Sequence, residues 1–236
     1  MTRRIRVLPS EISGDEIRAG EKAKRHAIGV LRMREGDVFA AIDGAGTEYE
    51  ARITAVERDG MRAEILSRRA ISPDGPDVVL YVCMIRPARF ETILEKATEE
   101  GVSAIIPVVS ERTQNYGLSP SRRARWESII SQATRQSAGC ASPVLGETTP
   151  FDEALDMARG GLIAIPDPSA SETWPRLVKR IRESGSISIF IGPEGGFTEE
   201  ELRRAVKAGA TPVSFGRAIL RTETAAIAAA AIARYA

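Results

Sequence analysis

Val78-Val-Leu-Tyr-Val-Cys-Met-Ile85 carries no charge and is rich in β-branched side chains. Such a run suits a strand covered on both faces, as parallel sheets require. A helix over about 89–100 follows and ends at Gly101, and a strand comes next at Ala104–Val109. Ser119-Pro120 sets an N-cap serine before a proline at the first helical position, predicting a helix that runs to about residue 137. Further on, strands at 162–165, 187–191 and 213–215 alternate with helices near 172–184, 199–208 and 223–235. This rhythm predicts an α/β fold, a mostly parallel sheet with helices on both faces. Ligands bind such sheets at the carboxyl ends of the strands, so the loops after the last two strands are where a site belongs.

Upstream, Ser72-Pro-Asp-Gly-Pro-Asp77 has the composition of a linker, and the rhythm before it differs. Tyr49, Ala51, Ile53 and Ala55 alternate with Glu48, Glu50, Arg52 and Thr54, the period of a half-buried strand. Asp59-Gly60 supplies turn chemistry before Met61, Ala63 and Ile65 alternate again, which predicts a hairpin. Asp43-Gly-Ala-Gly46 marks another turn after the apolar run 38–42, and one helix over about 22–32 interrupts the strands. The expectation is a small N-terminal β-barrel.

The totals are those of a soluble globular protein: 236 residues, 43% hydrophobic and 28% charged. No stretch approaches the ~20 apolar residues that span a bilayer. The basic start, Met-Thr-Arg-Arg-Ile-Arg, is not followed by the apolar core of a signal peptide. Cys83 and Cys140 make no disulfide framework, and with a single histidine they form no zinc-type cluster, so no metal is expected. A cytoplasmic location is expected. The net charge of +1 is unrevealing, but residues 1–34 hold nine arginines and lysines against four acids, an excess of five. Arg122, Arg123 and Arg125 form a second basic group. Arginine forks suit phosphates, whereas a solvated face in an arginine-rich chain is the competing reading, and charge alone does not choose between them.

The strand at 187–191 leads into Gly192-Pro-Glu-Gly-Gly196, and Thr198 with Glu201 forms a capping-box pair for the next helix. The loop lacks both the Lys-Ser/Thr of a P-loop and the spacing of a dinucleotide fingerprint, and Glu194 would repel phosphate. A positively charged ligand, or a neutral adenine read by backbone groups, fits better; a plain strand-to-helix turn is the bland alternative. The second loop, Gly216-Arg-Ala-Ile-Leu-Arg-Thr-Glu-Thr224, is harder to explain away. Its Arg221 and Glu223 could be a local ion pair holding the loop, a role that need not exclude a ligand. The alanine-rich run 225–233 behind it is too short for a membrane and suits an internal or subunit-interface helix.

At these two loops the chain resembles a known family, the 16S ribosomal RNA (uracil-N3)-methyltransferases of the SPOUT class. Ile191-Gly-Pro-Glu-Gly-Gly-Phe197 and Ile219-Leu-Arg-Thr-Glu-Thr-Ala225 look like its two signatures. Glu95-Lys-Ala-Thr-Glu-Glu-Gly-Val102, Ser110-Glu-Arg-Thr113 and Gln136-Ser137 resemble further family blocks. His26, Val30-Leu-Arg32 and Gly36-Asp37 resemble its RNA-binding module, so the resemblance covers nearly the full length. It implies a PUA-like β-barrel over 1–71 and a methyltransferase domain over 72–236 whose parallel sheet carries a deep trefoil knot. It also implies a homodimer, S-adenosylmethionine as cofactor and 16S rRNA of the small ribosomal subunit as partner. The chain departs from the family pattern at Glu100, at Arg135 and over 138–142.

Carried over, the cofactor contacts fall on Ile165 and Pro166, on Ile191, Gly192, Pro193, Glu194, Gly195 and Gly196, and on Phe215, Gly216, Ile219, Leu220, Arg221, Thr222 and Glu223. Uracil N3 must lose its proton before or during attack. Arg221 is therefore expected to stabilise the developing charge, oriented by Glu223, while Glu194 bonds loop amides. Arg4, His26, Arg32, Arg86, Arg89 and Arg112 are the expected RNA contacts, with surface solvation as the competing role. Alternatives are a SPOUT enzyme acting on a ribose 2′-hydroxyl or another base, and a non-catalytic RNA-binding or ribosome-assembly protein. A nicotinamide-dependent dehydrogenase is more distant, because its fingerprint is absent.

Overall fold

In the computed structural model, which describes residues 3–43, 46–70, 75–114, 117–137 and 142–236, the chain divides into two compact units. One comprises Met1–Pro73 with Thr134–Ser142, the other Asp74–Ala133 with Pro143–Ala236. The start of the expected linker at 72–74, Cys140 and most of the departure at 138–142 lie outside the described residues.

The first unit is β-rich. Its strands are β1 (Arg4–Arg6), β2 (Ile12–Ser13), β3 (Glu16–Gly20), β4 (Val38–Ile42), β5 (Thr47–Glu57) and β6 (Gly60–Ala70). They form a six-stranded sheet in the order β1-β4-β5-β6-β3-β2, antiparallel except for the β1–β4 pair. The alternation along β5 is realised at Tyr49, Ala51 and Ile53, which are buried with Ile5, Ile17, Phe39 and Met61. Glu48, expected to face outward, is buried instead. Its carboxylate is covered by two arginines, Arg4 from β1 and Arg69 from β6, which pair with it. The hairpin turns at 58–59, with Gly60 already paired to Glu57. Gly60 answers a different need: a Cβ there would sit 2.4 Å from the Ala19 carbonyl oxygen of β3. The helix expected over 22–32 is α1 (Glu21–Lys24) running into a π-helical turn, Arg25–Val30, closed by Leu31 N–H donating to the His26 carbonyl at 2.9 Å.

The second unit holds β7 (Asp77–Cys83), α2 (Pro87–Glu100), β8 (Ala104–Val109), α3 (Pro120–Gln136, whose last residues from Thr134 count with the first unit), β9 (Val144–Leu145), β10 (Thr149–Pro150) and α4 (Phe151–Met157). Then follow β11 (Ile163–Pro166), α5 (Trp174–Ser184), β12 (Ser186–Ile191), α6 (Glu199–Lys207), β13 (Ala210–Val213) and α7 (Thr222–Arg234). The sheet order is β10-β8-β7-β12-β11-β13, with β9 also on β8, and every pairing in it is parallel. β7 is central and β12 lies beside it, so the uncharged run read from the sequence is covered on both faces. On one face Phe90 of α2 stacks on Trp126 of α3 at 4.3 Å, and on the other Phe190 stacks on Tyr81 at 4.5 Å.

Two differences from the sequence reading have physical reasons. β9, β10 and α4 were not anticipated: two-residue strands show no period, and Pro150 reads as a breaker although it here sits at the sheet edge and opens α4. The last strand lies at Ala210–Val213 and not at 213–215; it is an edge strand, which tolerates Pro212. In α7, Ala226, Ala229, Ala230 and Ala233 are fully buried, so small side chains let the helix lie close on α2, β7 and β12.

Candidate active site

The carboxyl ends of β11, β12 and β13 frame a cavity of about 570 Å³. The loop after β12 forms one wall. Gly196 N–H donates to the Pro193 carbonyl at 2.9 Å, closing a turn in which Gly196 takes φ +67°. A Cβ on Gly192 would stand 3.2 Å from the Phe197 ring, so glycine there lets the phenylalanine fold back under the loop against Phe151. The capping box at α6 is present: Glu201 N–H donates to Thr198 Oγ1 at 3.2 Å and Thr198 N–H to Glu201 Oε2 at 2.8 Å. Glu201 is fully buried, and its Oε1 also accepts from Glu111 N–H at 2.8 Å. That carboxylate ties the 110–113 loop to the base of α6.

The second wall is the stretch from Phe215 to Thr222. Phe215 packs on Trp174 at 5.3 Å, and Gly216 turns the chain at φ +87°. Ile219 lines the mouth of the cavity although its side chain is 84% exposed, apolar surface that a bound ligand would cover. Arg221 is exposed, lines the same cavity and forms no ion pair among the described residues. Among the residues expected at a cofactor, Pro166, Ile191 to Gly196, Phe215, Ile219, Leu220, Arg221 and Thr222 line this space. Ile165 does not: it is fully buried in the core behind β11. Gly216 and Glu223 are neighbours of the lining and not part of it.

Arg89 belongs to the cavity although sequence reasoning placed it only among RNA contacts. Its guanidinium stands between two acids, 3.7 Å from Glu194 Oε1 and 3.8 Å from Glu223 Oε1. The expected Arg221–Glu223 pair does not form among the described residues. Arg221 caps α7 while Glu223 sits inside its first turn, and residues two apart on a helix do not face each other. Nor does Glu194 take a loop amide among the described residues; the Gly196 amide is spent on Pro193, and Glu194 faces Arg89. Glu223 Oε2 is buried with no hydrogen-bond partner among the described residues. Arg112, also expected at RNA, donates from Nη1 to the Gly195 carbonyl at 2.8 Å and so lies over the glycine loop. Arg86 is the exposed residue preceding α2. Arg4, His26 and Arg32 are exposed on the first unit, Arg32 with φ +53°. The signal that could have placed Arg89 and Arg112 is topological: both follow carboxyl ends of neighbouring strands, β7 and β8.

The cavity thus joins a glycine-lined backbone wall, an apolar mouth and the Glu194 carboxylate, with Glu223 just behind the lining. These features fit a nucleoside that carries positive charge. Residues 73–234 match the family model of the RNA methyltransferase domain, and residues 20–66 that of the RNA methyltransferase PUA domain. The ribosomal RNA small subunit methyltransferase E of Mycobacterium bovis is 30% identical over 85% of this chain and 79% of its own length. This chain belongs to the ribosomal RNA small subunit methyltransferase E family. The crystal structure of the enzyme of that name from Neisseria gonorrhoeae, bound to S-adenosyl methionine, superposes with a TM-score of 0.75 at 32% identity, covering 98% of this chain and 96% of that one. A methyltransferase from Legionella pneumophila, solved with bound cofactor, gives 0.74 at 29% identity over 100% of this chain and 98% of that one. In this methyltransferase, no group of three or more His, Cys, Asp or Glu could hold a metal among the described residues, and no helix there is long and apolar enough to cross a membrane.

Proposed function

We propose that this chain methylates N3 of a specific uridine in 16S rRNA, using S-adenosylmethionine held between the 192–196 loop and the 215–222 loop. The observation that carries the reading is the cavity itself: a glycine-lined backbone wall and the Glu194 carboxylate lie at the strand ends of a chain whose family is established. When bound, the cofactor supplies an electrophilic methyl group on a sulfonium. The residues then have to position uracil in line with it, a contribution worth ~7–11 kcal/mol in well-oriented reactions. Arg221, lining the cavity without an acidic partner among the described residues, stabilises the negative charge that develops on uracil as N3 loses its proton. Glu223 orients Arg89 rather than Arg221, and Glu194 holds Arg89 from the other side. Backbone groups of Gly192, Gly195 and Gly196 approach the cofactor closely because they carry no Cβ. Pro166, Ile191, Pro193, Phe215, Ile219, Leu220 and Thr222 shape its pocket, with Ile165 supporting them from the core.

The same reading extends to architecture and setting. The parallel sheet would carry a deep trefoil knot of the SPOUT type, and the β-rich unit would be a PUA-like barrel that grips RNA through Arg4, His26 and Arg32. The domains would meet near residue 72. The enzyme would act as a cytoplasmic homodimer on the small ribosomal subunit, with Arg86, Arg89 and Arg112 at the RNA. Mass spectrometry of nucleosides from 16S rRNA of a strain lacking the gene tests the reaction. Loss of N3-methyluridine, restored by the wild-type gene, is expected; loss of a ribose-methylated or different base-methylated nucleoside would replace this reading with another RNA position.

A further inference from the structure

A second cavity, of about 630 Å³, lies within the first unit. Its floor is apolar, formed by Ile5, Val7, Ala23 and Ile42. Four permanent cations line it, Arg4, Arg6, Lys22 and Arg135, against a single carboxylate, Glu11. Glu11 is already committed: its Oε2 accepts from Leu8 N–H at 2.7 Å and its Oε1 from Gly20 N–H at 2.8 Å.

Arg6 is the telling residue. Its Nε and Nη1 are buried and have no hydrogen-bond partner among the described residues. Burial pushes its guanidinium below the ordinary arginine range, the charge of Arg135 pushes the same way, and Asp43 opposes both. A guanidinium does not shed its proton in proteins, so the strain is relieved by an arriving anion. Arg4, the other arginine on β1, is held only loosely, 3.8 Å from Glu48. On the same wall His26 offers an exposed planar ring.

We propose that this cavity is a receptor for one unpaired nucleotide of the substrate RNA, with the phosphate on Arg6 and the base between the apolar floor and the His26 ring. The inference rests on the RNA-methyltransferase reading and adds to it a second, non-catalytic nucleotide site. A bare anion site would not need the apolar floor, and a cavity of ~300–1,000 Å³ is of a size that encloses a small molecule. Single-stranded RNA presents bases that can be splayed into such a site and stacked on planar side chains, with arginine on the backbone.

Fluorescence anisotropy of a fluorescein-labelled oligouridylate on the full chain tests this. Arg6→Gln should weaken binding at least tenfold, and Lys22→Ala and His26→Ala by severalfold. The last two alter exposed side chains, so they keep the test alive if Arg6→Gln does not fold. An oligomer of the same length with abasic sites should bind the wild type several times more weakly, and that difference should shrink in His26→Ala. Unchanged affinity in all variants would overturn the proposal. So would equal binding of the abasic oligomer, which would make the site phosphate-only, or equal binding of polyglutamate, which would make it a receptor for acidic peptides. Calorimetry with S-adenosylmethionine on the same samples separates the two readings. Its heat should be unchanged in every variant, and its absence in the wild type would sink the enzymatic reading while leaving the nucleotide receptor to be judged on the RNA data.

Discussion

Glu201 shows how much one buried side chain does for the site. Both its oxygens accept backbone amides, one from its own helix cap and one from the 110–113 loop. Glu201→Gln would turn one acceptor into a donor facing an N–H, leaving a buried group unsatisfied at ~1–3 kcal/mol. The urea midpoint should fall accordingly, and an unchanged midpoint would show that the carboxylate is dispensable. Nearby, burial pushes the Cys83 thiol up to about 12. The unfolded chain gives up this proton first, near the ordinary value of 9.0, so the stability it contributes is complete below that pH and drains away toward 12. Unfolding free energies measured across this range should decline in wild type and decline less in Cys83→Ala. At Arg221, truncation to alanine should lower kcat by roughly 10²–10³, a larger loss than in the affinity for S-adenosylmethionine, as for other groups that meet charge developing in the transition state. Equal turnover at saturating RNA would remove Arg221 from the chemistry. Of these residues the sequence exposed the Thr198–Glu201 box and the presence of Arg221 and Glu223 at the site. It could not expose their partners: Glu111 and Arg89 arrive from distant strand ends, and pairing across a sheet leaves no local spacing to read.

At the scale of elements, legibility followed length. The run at 78–85 and the strands and helices that repeat its rhythm emerge because many side chains share one period, whereas β9, β10 and α4 hang on two-residue pairings and a proline. The alanine face of α7 is a second case. The sequence suited an internal or subunit-interface helix, and Ala226, Ala229, Ala230 and Ala233 are fully buried. A larger side chain here has no room: Ala229→Leu should cost ~1–3 kcal/mol, read as a lowered thermal midpoint. No loss of stability would mean that α7 can shift away from α2 and that the second loop it anchors is not held by packing.

At the scale of the molecule, each unit supplies one half of an RNA-modifying enzyme: a β-rich unit with an excess of arginine and a parallel α/β unit with a ligand cavity at its strand ends. A parallel sheet and its ligand end were legible from alternation alone. The proposed threading of the chain, by contrast, would depend on the path of loops in space, and no local pattern encodes it. The central claim is that the two loops after β12 and β13 form the cofactor site, and titration calorimetry of S-adenosylmethionine into wild type and Gly192→Val tests it most directly. A valine side chain would meet the Phe197 ring, which already stands 3.2 Å from the position of a Cβ. The account predicts saturable binding to the wild type and at least tenfold weaker binding to a folded Gly192→Val. Wild type without heat of binding, or a variant that binds as tightly, would contradict it.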